Sequence, residues 1–251
     1  MFIDVHCHLN LLHDVEQAIA RGEAAEVLCM VTQGVNTTSN RIALDYAEEF
    51  VSVKAALGLY PTDLEKMSEK AIEKEIDFIR TQKDKIVAIG EVGLDLKEAH
   101  DFEKQQWAFQ ELINLALEID KPLIVHSRKA ELQAITQLER SKAKKVIMHC
   151  FSGKLMLAEA IVKNGWYLSI PTSVRNSEHF QNLIRQTPIT NLLCETDSPY
   201  LHPRKEFPNE PANVVESYQM IAKLKDMPLE EVEAQLEKNY EKLFGVSPHS
   251  E

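Results

Sequence analysis

Alternation is the feature that most limits what this chain can fold into. Short runs of Val, Ile and Leu take turns with longer amphipathic stretches from one end to the other. The runs fall at residues 1–8, 26–32, 51–57, 86–91, 123–126, 145–149, 166–170 and 192–197. They are continuously apolar rather than alternating, which marks strands buried on both faces. Helical stretches lie at about 14–21, 37–49, 68–83, 102–119, 129–140, 154–164, 177–186, 211–225 and 229–244. Strictly alternating strands and helices pair their strands in parallel, and eight such units close into a (β/α)8 TIM barrel. An open doubly wound sheet would put a Gly-rich phosphate turn after its first strand; His6-Cys7-His8 stands there instead. The 251 residues fit one barrel, and no repeat or Gly/Ser-rich linker divides them. The expectation is an α/β chain with a single domain over residues 1–251. Gly22 is expected to close the first helix, Thr37 or Thr38 to cap the second, and Ser68 to cap the third.

The strand ends carry the chemistry. Strand one delivers His6 and His8, two residues apart and therefore on one face. Glu91 ends strand four, His126 strand five, His149 strand six and Asp197 strand eight. In a closed barrel the C-terminal strand ends surround one mouth, so these six residues converge. A single catalytic zinc takes three protein ligands and keeps a position open. Six ligands suit two divalent ions roughly 3.5–4 Å apart. Glu91 is expected to bridge, with His6, His8 and Asp197 completing one ion and His126 and His149 the other. Asp197 and Glu91 are the expected catalytic carboxylates: Asp197 orients a water between the metals and takes its proton. The nitrogen-rich donor set accepts Zn, Mn, Co or Fe, and does not select one metal; Zn, Mg and Mn are the first ions to consider.

Charge and composition exclude some partners. The formal net charge of −11 does not suit bulk electrostatic holding of a long nucleic-acid backbone, although metal ions could supply local positive charge. Cys7, Cys29, Cys150 and Cys194 lie in apolar stretches without a C-x-x-C pair, the pattern of reduced, buried thiols. No apolar run approaches a membrane span, and no basic segment followed by an apolar run opens the chain, so a cytoplasmic protein is expected. Nothing in the sequence demands more than a monomer or an obligate protein partner.

The chain resembles the TatD family of metal-dependent deoxyribonucleases, within the amidohydrolase-like barrels. The stretches that carry the resemblance are Asp4 to Leu9, Gly90 to Asp95, Pro122 to Arg128, His149 to Gly153 and Glu195 to Leu201, extended by Asn209-Glu210-Pro211 and Asn213-Val214. The resemblance implies a divalent-metal hydrolase that cleaves phosphodiester bonds, often as a 3′-to-5′ exonuclease on DNA. It places the metal residues at His6, His8, Glu91, His126, His149 and Asp197. Two departures fall where substrate would sit. The segment after strand three usually has a histidine before proline; here it is Tyr60-Pro61. The loop after strand eight usually has an Arg-Gly pair; here Arg204 is followed by Lys205 and Glu206. Both leave hydrolysis standing and open an alternative: an amide, lactone or small phosphoester cleaved on the same barrel. Arg128, Tyr60, Arg204 and Ser152, the last with the backbone of Gly153 at a helix start, are the expected substrate-binding residues. DNA would be held as substrate over a short local contact.

Overall fold

The computed structural model describes residues 1–249. Its strands are β1 (Phe2–Cys7), β2 (Val27–Gln33), β3 (Val53–Leu57), β4 (Ile86–Gly93), β5 (Leu123–His126), β6 (Val146–Met148), β7 (Tyr167–Pro171) and β8 (Leu192–Glu195). They form one eight-stranded parallel sheet in sequence order. The barrel closes just beyond the last ladder. Asp197 N–H donates to the His6 carbonyl at 2.9 Å, and His8 N–H to the Ser198 carbonyl at 2.8 Å. The buried Asp4 carboxylate clamps the same seam, accepting from Thr196 N–H at 2.9 Å and Thr196 Oγ1 at 2.5 Å.

The helices are α1 (Val15–Ala24), α2 (Thr37–Glu49), α3 (Pro61–Leu64), α4 (Glu69–Thr81), α5 (Phe102–Glu118), α6 (Glu131–Arg140), α7 (Leu155–Lys163), α8 (Glu178–Gln186), α9 (Val215–Lys225) and α10 (Leu229–Phe244). Their apolar faces and the outward-facing strand residues form the larger core, including Ile72, Phe109, Leu112, Met148, Leu168 and Tyr218. A second core fills the barrel interior. Every strand contributes to it, with Ile3 and Val5 from β1, Cys29 and Val31 from β2, and single residues such as Ile124, Ile147, Tyr167 and Leu193 from later strands. Tyr240, Leu243 and Phe244 of α10 belong to this core and close its floor.

Two terminus expectations are corrected. Gly22 does not end α1; it lies inside the helix, where a Cβ would meet the Met30 side chain at 2.6 Å. Its smallness lets α1 settle on β2. Neither Thr37 nor Thr38 caps α2. Asn36 does, accepting from Thr38 and Ser39 N–H while Ser39 Oγ accepts from Asn36 N–H, a reciprocal pair that satisfies three orphan donors. Ser68 caps α4 as expected, accepting from Ala71 N–H. The single turn α3, opened by Pro61, leaves no mark in the sequence pattern, because four residues are too short for helical periodicity to show.

Candidate metal centre

The bottom of the barrel is apolar and its C-terminal mouth is ionisable. His6, His8, Glu91 and His149 are all buried there, with His126 and Asp197 at the edge of solvent. Glu91 stands at the centre. Its Oε1 lies 3.0 Å from His126 Nδ1 and 3.0 Å from His149 Nε2. Its Oε2 lies 3.6 Å from His6 Nε2 and 3.5 Å from His8 Nε2. Asp197 Oδ1 sits 3.4 Å from both of those Nε2 atoms. One carboxylate thus faces two separate pairs of imidazoles, one with each oxygen.

Backbone geometry puts Glu91 there. A Cβ on Gly58 would meet the Glu91 carbonyl oxygen at 2.5 Å, so β3 can approach only because that side chain is missing. On the other side Gly93 adopts φ +139°, and a Cβ would meet the His126 carbonyl oxygen at 2.0 Å. The β4 ladder is irregular between Ile89 and Val92, where the chain turns Glu91 inward.

The donor set fits divalent cations. His6, His8 and Asp197 bring three donor atoms within 4.8 Å of one another, and Glu91, His126 and His149 bring three more. His6 Nε2 and His8 Nε2 are 3.2 Å apart. A tetrahedral ion with ligands about 2.1 Å away spaces them roughly 3.4 Å apart, which is the spacing of this first group. Most of these separations are too long for strong hydrogen bonds. Nitrogen donors and carboxylates together suit first-row transition metals better than an all-oxygen site would.

The electrostatics favour ionised carboxylates. Burial pushes Glu91 upward, but His149, His126 and His6 outweigh it and hold the carboxyl well below its ordinary range. Burial also raises Asp197, and the facing His6 and His8 imidazoles reverse the effect. For His126 and His149 burial pulls downward and neighbouring carboxylates overcome it, leaving both raised. His6 stays lowered, by burial and by His149 stacked 3.9 Å away.

The remaining expected residues divide. Tyr60 belongs to the cluster: its hydroxyl donates to Asp95 Oδ2 at 3.2 Å and lies 3.4 Å from His126 Nε2. Arg128 is exposed beside the mouth and pairs loosely with Glu98 at 3.7 Å. Arg204 is exposed and pairs with Glu216 of α9 at 3.3 Å. Ser152 is exposed and its hydroxyl donates to Glu131 at 3.4 Å, so that hydroxyl is engaged by a carboxylate.

Three further buried acids, Asp95, Glu195 and Asp4, support the cluster or the barrel around it. Asp95 holds His126 from behind, 2.9 Å from its Nε2. Burial pushes Asp95 up, but His126 and the backbone N–H groups of Glu98 and Lys97 bring it down to about 2. Glu195 accepts from Ser169 Oγ at 2.5 Å and joins His6 and His149 in a third donor group. Asp4 clamps the barrel seam. Burial outweighs its hydrogen bonds from Thr196 and His6 and raises it to about 8. The available signal was an acid standing inside an apolar run, as in Phe2-Ile3-Asp4 and Leu193-Cys194-Glu195.

With this geometry in hand, similarity to known proteins places the chain. An uncharacterized metal-dependent hydrolase of Methanocaldococcus jannaschii is 35% identical over 246 residues, covering 97% of this chain and 96% of that protein. Human deoxyribonuclease TATDN3 is 32% identical over 262 residues, covering 98% and 96%. The crystal structure of the TatD homolog YjjV from Escherichia coli superposes with a TM-score of 0.90 at 31% identity, covering 98% of each chain. The model of the TatD related DNase family matches residues 3–245, and the chain belongs to that family of metal-dependent hydrolytic enzymes.

Proposed function

We propose that this protein is a two-metal phosphodiesterase that removes nucleotides from DNA ends in the 3′-to-5′ direction. One observation carries the reading: the two oxygens of Glu91 face two distinct imidazole pairs within one buried mouth. His6, His8 and Asp197 would hold one divalent cation, His126 and His149 the other, and Glu91 both. Bound there, such ions neutralise a phosphodiester's charge and lower the pKa of water.

The chain's own residues supply the rest. Asp197 is held ionised, and its side chain is 16% exposed, so it can accept the proton of an attacking water at the solvent edge. Asp95 fixes the His126 ring, and the Tyr60 hydroxyl donates to Asp95. Arg128 is in reach of a phosphate if it exchanges its loose partner Glu98. The deoxyribonuclease name of the human relative supports DNA as the substrate class.

The test follows end-labelled single-stranded DNA with metal-free protein and added Mg, Mn or Zn. Stepwise shortening from the 3′ end should require metal, and Asp197→Asn should slow it about 10²- to 10⁴-fold. No cleavage with any of the three ions would contradict the reading and turn attention to amides, lactones and small phosphoesters.

A further inference from the structure

The rim around the mouth is two-sided. The segments after β1, β3 and β4, the single turn α3 included, carry Asp14, Asp63, Glu65, Glu98 and Asp101 against Lys66 and Lys97. Loops after β5 and β6 carry no acid of their own and hold the exposed Lys129 and Lys154, with Glu131 of α6 tied to Ser152 between them. The loop after β8 adds exposed Arg204 and Lys205 against exposed Glu206, while Glu210 at its end is paired with Arg21. Among the described residues Lys129, Lys154 and Lys205 make no ion pair, unlike Arg128, Arg175 and Arg204. Each loop starts at a residue of the metal cluster, namely His126, His149 or Asp197.

The same side presents unshielded aromatic surface. Tyr200 is 51% exposed and Phe207 73%. They flank a loop that is firmly held. Asn209 N–H donates to the Pro199 carbonyl at 2.8 Å, closing the loop's base. Thr172 Oγ1 donates to the Leu201 carbonyl at 2.7 Å and Asn176 Nδ2 to the Pro203 carbonyl at 2.6 Å, latching it to the segment after β7. The β6 loop is tied in turn, because His179 Nε2 of α8 lies 3.0 Å from the Phe151 carbonyl. Strands β5 to β8 are consecutive neighbours, so these loops make one continuous ledge. An exposed phenyl ring on an ordered loop contributes nothing to the core and offers a preplaced stacking face.

We infer that this ledge, from Lys129 through Lys154 to Lys205 and Phe207, is the track for a single strand of nucleic acid leading away from the scissile bond. The inference rests on the phosphodiesterase reading and deepens it by naming the substrate form and its path. The lysines meet phosphates, while the acidic half-rim repels them. Phe207 and Tyr200 meet base faces, which unpaired bases expose and a duplex hides.

The test measures binding of a labelled twelve-nucleotide single-stranded DNA to the metal-loaded protein by anisotropy, at several salt concentrations. Phe207→Ala should weaken binding about tenfold. Replacing Lys129, Lys154 and Lys205 together by Ala should lower the slope of log affinity against log salt by about 2. Replacing Lys66 and Lys97 on the opposite half-rim should leave that slope unchanged. No binding by the wild type, unchanged binding by the ledge variants, or an equal loss from both lysine sets would each overturn the track. Hydrolysis of bis(p-nitrophenyl) phosphate by the wild type separates the two ideas. Turnover with an unaltered slope in the ledge variant sinks the track alone. Absence of turnover on this ester and on DNA sinks the phosphodiesterase reading, and the binding series still decides the track.

Discussion

The two ends of the barrel interior are built from the same strands and behave as opposites. At the floor, Ile3, Ile124, Ile147 and Leu193 pack under Tyr240 and Phe244, whose rings stack 4.2 Å apart. At the mouth, a few residues further along, β1 yields His6, β5 His126 and β8 Glu195. The floor gains stability from every apolar atom it buries. The mouth buries ionisable groups that a stable apolar core would exclude, and each needs a compensating partner. The difference teaches where selection for chemistry overrides packing. Groups so costly to bury, with donor spacings suited to cations, make sense as a ligand set whose partners arrive as ions.

Substitutions at the two ends should sharpen that contrast. The largest effect is expected at Glu91. Glu91→Gln keeps its shape but removes the charge shared by both imidazole pairs, so kcat/KM on a phosphodiester should fall by at least about 10³-fold while the fold persists by circular dichroism. At the floor the effect should be of another kind. Leu193 is 1% exposed. Leu193→Ala should cost about 2–5 kcal/mol of stability in urea unfolding, with specific activity of the folded fraction unchanged. If activity fell as steeply as stability, the two ends would not be independent. A smaller effect is expected at Asp95, which touches the cluster only through His126 and Tyr60. Asp95→Asn should weaken metal binding, measured by chelator competition, by about 10- to 100-fold.

Most of the fold was legible because its signals are local. Eight apolar runs of strand length, separated by amphipathic stretches, leave few topologies, and the strands fall within a few residues of their expected bounds. The convergence of His6, His8, Glu91, His126, His149 and Asp197 was legible for the same reason: each stands at or near the C-terminal end of a strand, and barrel geometry gathers strand ends. What escaped depends on through-space contacts. Gly22 reads as a helix stop until Met30 is seen against it. Asn36 and Thr37 are both good caps, and only the backbone's course decides between them. Glu195 and Asp4 sit inside strands, where nothing in the order of residues says that one faces His149 and the other grips Thr196. The ledge could not be read either, since exposure of Phe207 and the latching of its loop arise only in three dimensions.

The central claim is that Glu91 joins two cation sites in one mouth. Its most direct test is the metal content of purified protein, dialysed against excess Mn or Zn and then freed of unbound ion, read by elemental mass spectrometry alongside Glu91→Gln. The account predicts two ions per wild-type chain and no more than one in the variant. A single ion in the wild type, or two retained without the Glu91 carboxylate, would contradict it.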